Sequence, residues 1–309
     1  MTATVAVIIP TYNRAAVLAR AIESALAQKV DGCEIIVVDD GSTDTTDAAV
    51  ARYAGTPIRL IHQANRGPAA ARNAGVRETD AAWIAFLDSD DEWLDGKLAA
   101  QLEQATAAGA DWAVCGHETI TSDGRRVERP APLPRTAVDL QRQLLANEAI
   151  ATDTVLVRRA LFERCGGFDE ALPTAEDVDL YLRLAATAPL VADPAIRCRV
   201  HIRPDGTVAH HGRIARAACR REVFARCKGH LVDRRLRRDR RAALAREALD
   251  LARLHLADGA RAAAARWLVR SLPGGLDVDR LKVAGECLLG TERYDRQSAR
   301  VKGVARLWR

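Results

Sequence analysis

"IAFLDSDDEW", residues 84–93, runs four apolar residues straight into Asp88, Ser89, Asp90 and Asp91. The apolar part is short and continuous, the pattern of a strand covered on both faces, whereas a half-exposed strand would alternate. Carboxylates at its end mark where the chain leaves the core. In parallel sheets that rim, at the carboxyl ends of the strands, is where ligands gather. The stretch predicts a strand over 83–90 that delivers a polar site.

Three more runs share this character: "VAVIIP" (5–10), "EIIVVDD" (34–40) and "IRLIHQ" (58–63). Between them lie helix-length segments. After Asn13, Val17, Leu18, Ala21, Ile22, Ala25 and Leu26 recur on one face, and "STDTTDAAVARY" opens with residues that can cap a helix. The alternation predicts an α/β fold: a Rossmann-like mixed, mostly parallel sheet flanked by helices. Each strand ends in polar residues: Pro10 to Arg14, Asp39 to Ser42, Asn65 to Gly67, and Asp88 to Asp91. One acidic strand end alone reads as a helix cap or a solvated turn; four converging loops read as a site.

From 95 to 200 the pattern gives a helix near 95–108, a strand at "DWAVCGHETI", a proline-rich loop at 129–135 and helices near 138–146 and 176–187. Beyond 212, Ala/Leu/Arg-rich helices predominate. The expected division is a catalytic domain over 1–211 and a basic α-helical C-terminal region over 212–309.

The net charge of +5 hides a polar arrangement, because residues 1–200 hold 20 Lys/Arg against 29 Asp/Glu and residues 201–309 hold 26 against 12. The halves are therefore −9 and +14. Such a split suggests an acidic, metal-using front and a basic tail that faces an anion. Ten cations from Arg220 to Arg241 accompany Val223, Phe224, Cys227 and Leu231 at helical spacing, an arrangement suited to an anionic membrane surface. A solvated helix docked on the catalytic domain is the plainer reading for the Ala-rich stretch after 240. With few aromatics and no zinc, RRM or KH signature, the tail does not read as a nucleic-acid binder. The seven cysteines are scattered without a C-x-x-C pair, which argues against a disulfide framework or zinc site and for a reducing cytoplasm. No basic leader precedes the first apolar run and no run is long enough to span a membrane, so a cytoplasmic enzyme with peripheral contact at the inner membrane face is expected. His210 and His211 are adjacent, so they point apart, and they are not read as metal ligands.

Asp88-Ser89-Asp90 offers hard oxygen ligands two residues apart, which suit Mg2+ or Mn2+ held between a carboxylate and substrate phosphates. Tyr12 can lie against a planar base, and a carboxylate at the second strand end can accept a ring N–H.

"VIIPTYNR", "IIVVDDGSTD", "NRGPAAARNAG", "IAFLDSDDEW", "GGFDE" and "AEDVDLYLR" occur in order over residues 4 to 205, and the chain thereby resembles the family 2 glycosyltransferases. The resemblance implies a GT-A-like nucleotide-sugar-binding domain and a metal-dependent, inverting transfer. The donor implied is a nucleoside-diphosphate sugar, UDP-linked by expectation, carrying a hexosyl or N-acetylhexosaminyl group. The acceptor is a hydroxyl of a glycan or lipid-linked glycan in envelope or extracellular polysaccharide biosynthesis. Carried over by motif, Pro10, Thr11, Tyr12 and Arg14 border the nucleoside, with Asp39 and Asp40 at the second strand end and Asp40 on the base N–H. Arg72 approaches the diphosphate, and the small residues around it are expected to let a ligand come close. Asp88 reaches the ribose or metal, Ser89 lies between, and Asp90 is the direct metal ligand. Glu176 lines the acceptor side, Asp177 is the base, and His201 approaches the diphosphate or metal. Val178 stands where the family commonly has an aromatic residue, a departure that bears on the acceptor site.

Other classes fit less well. A sugar nucleotidyltransferase wants a Gly-rich basic loop where "PTYNRA" stands, and a dinucleotide dehydrogenase wants G-x-G-x-x-G there. A non-catalytic nucleotide-sugar scaffold would show a broken D-x-D or acidic pair, and both are intact.

Overall fold

The computed structural model describes residues 4–146, 150–203, 207–275 and 277–289. The first half delivers the expected alternation: β1 (Val5–Thr11), α1 (Ala15–Leu26), β2 (Cys33–Asp39), α2 (Thr46–Ala51), β3 (Ile58–His62), α3 (Pro68–Arg77) and β4 (Trp83–Phe86). There follow β5 (Glu92–Trp93), α4 (Lys97–Ala108), β6 (Trp112–Ile120), β7 (Arg126–Arg129), α5 (Ala137–Leu145), β8 (Leu156–Arg158), α6 (Arg159–Arg164), α7 (Glu176–Thr187) and β9 (Leu190–His201). Four more helices close the described chain: α8 (Thr207–Arg226), α9 (Leu236–Ala257), α10 (Arg261–Ser271) and α11 (Val278–Leu289).

One sheet runs in the order β3-β2-β1-β4-β8-β6-β9-β5, with β7 paired to β6. The first four strands are parallel, β8 is antiparallel to both β4 and β6, and β9 is parallel to β6. The sheet is therefore mixed. Along β1, Ala6 and Ile8 belong to one apolar cluster and Val5, Val7 and Ile9 to the other. Alternate side chains thus enter two separate cores, and so these strands read as unbroken apolar runs.

The fourth strand is shorter than its sequence suggested. Ladder pairing stops at Phe86 rather than at 90, and a turn with Asp91 N donating to Asp88 O (3.1 Å) carries the acidic run away from the sheet. Ionised side chains placed as Ile84 to Phe86 are would need hydrogen-bond or charge partners that an apolar core does not offer. The chain then returns at Glu92–Trp93 to pair antiparallel with β9.

The apolar stripe of the basic region also has a different destination from the expected one. Val223, Phe224, Cys227, Leu236 and Ala243 lie in the same cluster as Ile8, Phe86 and Leu180. The stripe is covered by the protein and not offered to lipid. Among the described residues, no helix is long and apolar enough to cross a membrane.

Candidate active site

The carboxyl ends of β1, β2 and β4 bring the predicted residues to one rim, because these strands run parallel and in register. Tyr12 projects from the end of β1 and is 44% exposed, free to cover a flat ligand. Thr11 beside it is buried, and its Oγ1 has no hydrogen-bond partner. Asn13 follows with φ 52°, a left-handed conformation that asparagine tolerates better than most residues. Its Oδ1 accepts from Thr43 N (2.8 Å) and its N–H donates to Ser42 Oγ (2.9 Å), which locks the loops after β1 and β2 together. Pro10 lies at the buried end of β1, and Arg14 opens α1.

Asp39 and Asp40 are both buried and both occupied. Asp39 accepts from Ser42 N (2.9 Å) and lies 3.2 Å from His62 Nδ1. Asp40 accepts from Gln63 Nε2 (2.7 Å), Arg66 N (2.9 Å) and Gly67 N (2.8 Å). An ionised carboxylate has about four acceptor positions, so Asp40 holds the loop before α3 with one to spare for a ligand N–H.

Arg72 is the centre of the arrangement. Helix α3 carries it inward, only 4% exposed, where Nη2 donates to Asp88 (2.6 Å) and Nη1 to Glu176 (2.8 Å). Its guanidinium also stands 5.4 Å from the Phe168 ring centre. Burial works against its charge, but the two carboxylates outweigh burial and raise its pKa further. The expected close approach of a ligand along the small residues of α3 is not what they do. Ala69, Ala70 and Ala71 are buried, and a Cβ on Gly75 would stand 2.5 Å from Ile8 Cγ2. Small side chains here let the helix sit against β1 and β2.

"GGFDE" enters by the same route. Asn73 receives Phe168 N (3.0 Å) and donates to Phe168 O (2.9 Å) and Glu170 (3.0 Å). Gly167 has φ 66°, and a Cβ there would lie 2.8 Å from Asn73 Oδ1, so both conformation and space require glycine. The segment leads to Ala175, at φ 63° an unusual conformation for a side-chain-bearing residue, and directly into α7. Glu176 and Asp177 are the first two residues of that helix, where the macrodipole favours negative charge. Both carboxyls are nonetheless raised in pKa. Burial leads in each case; the charge of Asp177 adds for Glu176, while Val178 N and the positive charge of Arg72 partly offset it for Asp177.

The acidic run divides in an unforeseen way. Carboxylate oxygens of Asp88, Asp91 and Asp153 lie within 4.8 Å of one another. Asp90 stands apart from that trio, with Arg203 4.0 Å away. Burial, with the like charge of Asp88, raises the Asp90 carboxyl. Asp91 is 4% exposed and accepts from His201 N (2.6 Å). Asp153, 2% exposed, accepts from Asp88 N (2.7 Å). Burial and then the charge of Asp88 push the Asp153 carboxyl up to about 7. Three carboxylates this close repel unless a proton or a cation joins them, and hard oxygen donors of this kind suit Mg2+ or Mn2+. Ser89 is buried within the turn. His201 is brought beside the run, its ring nitrogen 3.2 Å from Glu92. The side chains of His210 and His211 lie outside the described residues.

Asp153 had no place in the sequence reading. The available signal was a lone carboxylate in "AIATDTVLV", just before a strand of apolar residues.

The chain is similar to known proteins in sequence and in fold. Residues 6–166 fit the family described as Glycosyl transferase family 2, and residues 133–206 fit Glycosyltransferase like family 2. Succinoglycan biosynthesis protein ExoO of Rhizobium meliloti is 37% identical over 214 residues, covering 65% of this chain and 61% of that protein. ExoU of the same organism is 35% identical over 201 residues, covering 59% of this chain and 57% of that protein. The chain thus spans about three fifths of the length of these relatives. Among solved structures, S. aureus TarS 1-349 in complex with UDP-GlcNAc superposes with a TM-score of 0.62 at 17% identity, covering 93% of this chain and 91% of that one. The mannosyltransferase PcManGT from Pyrobaculum calidifontis, in complex with GDP-Man and Mn2+, gives 0.60 at 22% identity, covering 97% and 84%. The mixed, mostly parallel sheet flanked by helices is the GT-A fold of these structural neighbours. With the family match extending over more than half of its length, the chain belongs to glycosyltransferase family 2.

Proposed function

We propose that the protein is an inverting glycosyltransferase that moves a hexosyl or N-acetylhexosaminyl group from a UDP-sugar to a hydroxyl of a glycan or lipid-linked glycan. The observation that carries this reading is the Arg72 bridge, which joins Asp88 on the donor side to Glu176 on the acceptor side inside the protein. UDP-GlcNAc in the TarS complex supports a uridine nucleotide, and the succinoglycan relatives support a polysaccharide product. The catalytic unit is residues 1–211, and 212–309 form the basic helical region. The enzyme works in the cytoplasm as a peripheral protein of the inner membrane face.

Tyr12 stacks on the base, Asp40 accepts the ring N–H at its remaining acceptor position, and Pro10, Thr11, Arg14 and Asp39 border the nucleoside. Asp88, Ser89 and Asp90 face the ribose and diphosphate, with His201 beside them. Asp88, together with Asp90 or with Asp91 and Asp153, would hold Mn2+ or Mg2+, which would supply positive charge against the departing nucleoside diphosphate. Arg72 fixes the carboxylates of Asp88 and Glu176, so neither has to reorganise as charge develops. Asp177 takes the proton of the acceptor hydroxyl. A carboxyl raised by burial is a better base than an ordinary aspartate, which suits that task. Attack from the face opposite the leaving group inverts the anomeric centre.

The test is transfer of label from UDP-, dTDP- and GDP-sugars to glycan acceptors, with and without Mn2+, reading the anomeric configuration of the product. Transfer from UDP-sugars with inversion is expected. Retention would refute the mechanism, preference for GDP-sugars would refute the nucleotide, and neither transfer nor donor hydrolysis from any of them would make the chain a scaffold.

A further inference from the structure

Far along the chain from the acidic rim, α5 and the start of α9 flank an open groove of about 770 Å³ walled by Arg142, Arg234, Arg235, Arg237, Arg238 and Arg241, with Asp239 the one carboxylate among the described residues that line it. Asp239 faces Arg142 (3.4 Å), and Asp233 holds Arg235 (2.7 Å). Among the described residues, no carboxylate stands within ion-pairing distance of Arg234, Arg237, Arg238 or Arg241, and all four side chains are exposed. The first turn of α9 opens in the same place, so the positive end of its macrodipole adds to the cluster. Such a concentration of like charge is self-repelling in the free protein. It is complementary to a surface rich in phosphate.

The groove is held rigidly. Gln141 of α5, fully buried, donates to Leu182 O in α7 (3.2 Å) and to His230 O (2.7 Å), and it accepts from Val232 N (3.0 Å). The turn that presents the arginines is thereby tied to the helix that begins with Glu176 and Asp177. Val232, 43% exposed, adds an apolar side chain next to the cations. Among the described residues no aromatic side chain lines the groove, so bases of a nucleic acid would find nothing among them to stack on.

We propose that this groove seats the enzyme on the anionic surface of a phospholipid bilayer, its arginines contacting lipid phosphates and Val232 meeting the interface. The inference rests on the peripheral location given above and names the surface responsible. Vesicles of phosphatidylcholine mixed with phosphatidylglycerol, and vesicles of phosphatidylcholine alone, would be sedimented with the full chain at several salt concentrations. Binding is expected only to the anionic vesicles, falling as salt shortens the Debye length. Each arginine near such a surface contributes about fivefold in affinity, so Arg234→Gln/Arg237→Gln/Arg238→Gln should weaken binding on the order of 100-fold. Arg52→Gln/Arg164→Gln/Arg266→Gln, which removes the same charge from exposed positions elsewhere, should weaken it much less. Among the described residues none of the six has an ion-pair partner to lose, and unchanged thermal midpoints would show that both variants fold.

No binding by the parent chain, or equal loss in both variants, overturns the proposal. So does competition by inorganic pyrophosphate that saturates at one site, which would mean a small phosphate ligand. Tighter groove-dependent binding to duplex DNA than to the vesicles would replace the membrane with a nucleic acid. Donor hydrolysis is read in the same preparations without vesicles. Hydrolysis without vesicle binding sinks the groove and spares the enzyme; a parent chain that neither hydrolyses nor transfers from any donor sinks the enzyme reading itself.

Discussion

Arg72 Nη1 donates to Glu176 Oε1 at 2.8 Å, a buried contact that joins residues 104 positions apart and ties α3 to α7. Removing one partner of a buried ion pair leaves the other uncompensated, which costs about 3–5 kcal/mol. Arg72→Met should therefore lower the unfolding free energy by that amount in guanidinium titrations and abolish transfer. The double variant Arg72→Met/Glu176→Gln should regain part of the stability, because the stranded Glu176 charge is gone, and none of the activity. Equal losses in the single and double variants would mean that the contact is incidental.

Asp177→Asn should lower turnover by about 10²–10⁴-fold, the range for loss of a general base, while donor binding stays within a small factor. The pH profile gives a separate check. The base must be ionised to act, and burial raises the Asp177 pKa. Activity should then fall on the acid side as pH drops through a value above that of an ordinary aspartate. An acid limb at the ordinary value, or an unchanged limb in the residual rate of the Asn variant, would remove Asp177 from the role.

The sequence made the rim legible and left its depth hidden, and the reason is physical. Tyr12, Asp40 and Asp88 each end an apolar strand, so a one-dimensional pattern of core and exit locates them. Asp153 reaches Asp88 from 65 residues away, its carboxylate accepting from Asp88 N in a contact that only the pairing of β8 with β4 creates. The alanines and Gly75 of α3 looked like room for a ligand, and only the partner surface, Ile8 and Val38, shows that they make room for the sheet. Helical spacing likewise revealed an apolar stripe at Val223 and Phe224, but periodicity cannot say whether a stripe meets lipid or the protein's own core.

Asp153→Asn should have opposite effects with and without a divalent cation. In chelator, the wild-type carboxyl has a folded-state pKa near 7 against about 4 when unfolded, so the native state binds more protons between those values and stability from this group declines as pH rises through that window. The Asn variant lacks that decline and should melt higher than the parent at neutral pH, with the gain vanishing near pH 4. With UDP and Mn2+ present, the parent should gain about 2.7 kcal/mol at a ligand concentration 100 times its Kd. The variant should gain less, because a neutral amide replaces one of three clustered carboxylates. A cation-induced shift of the same size in both would place the metal away from Asp153.

Gly75→Ala sets helix propensity against packing. Alanine in a helix interior is favoured over glycine by about 1 kcal/mol, which alone would stabilise the variant. The added Cβ, however, would stand 2.5 Å from Ile8 Cγ2 and 3.1 Å from Val38 Cγ2, in a layer where Ile8 and its neighbours are fully buried. Overpacking of a filled core costs about 1–3 kcal/mol, and α3 can escape only by lifting off the sheet and carrying Arg72 with it. The expected outcome is a lower unfolding midpoint together with reduced transfer, and partial recovery of both on adding Ile8→Ala, which removes the obstructing methyl. Recovery of stability without recovery of transfer would show that Arg72 does not depend on the seating of its helix.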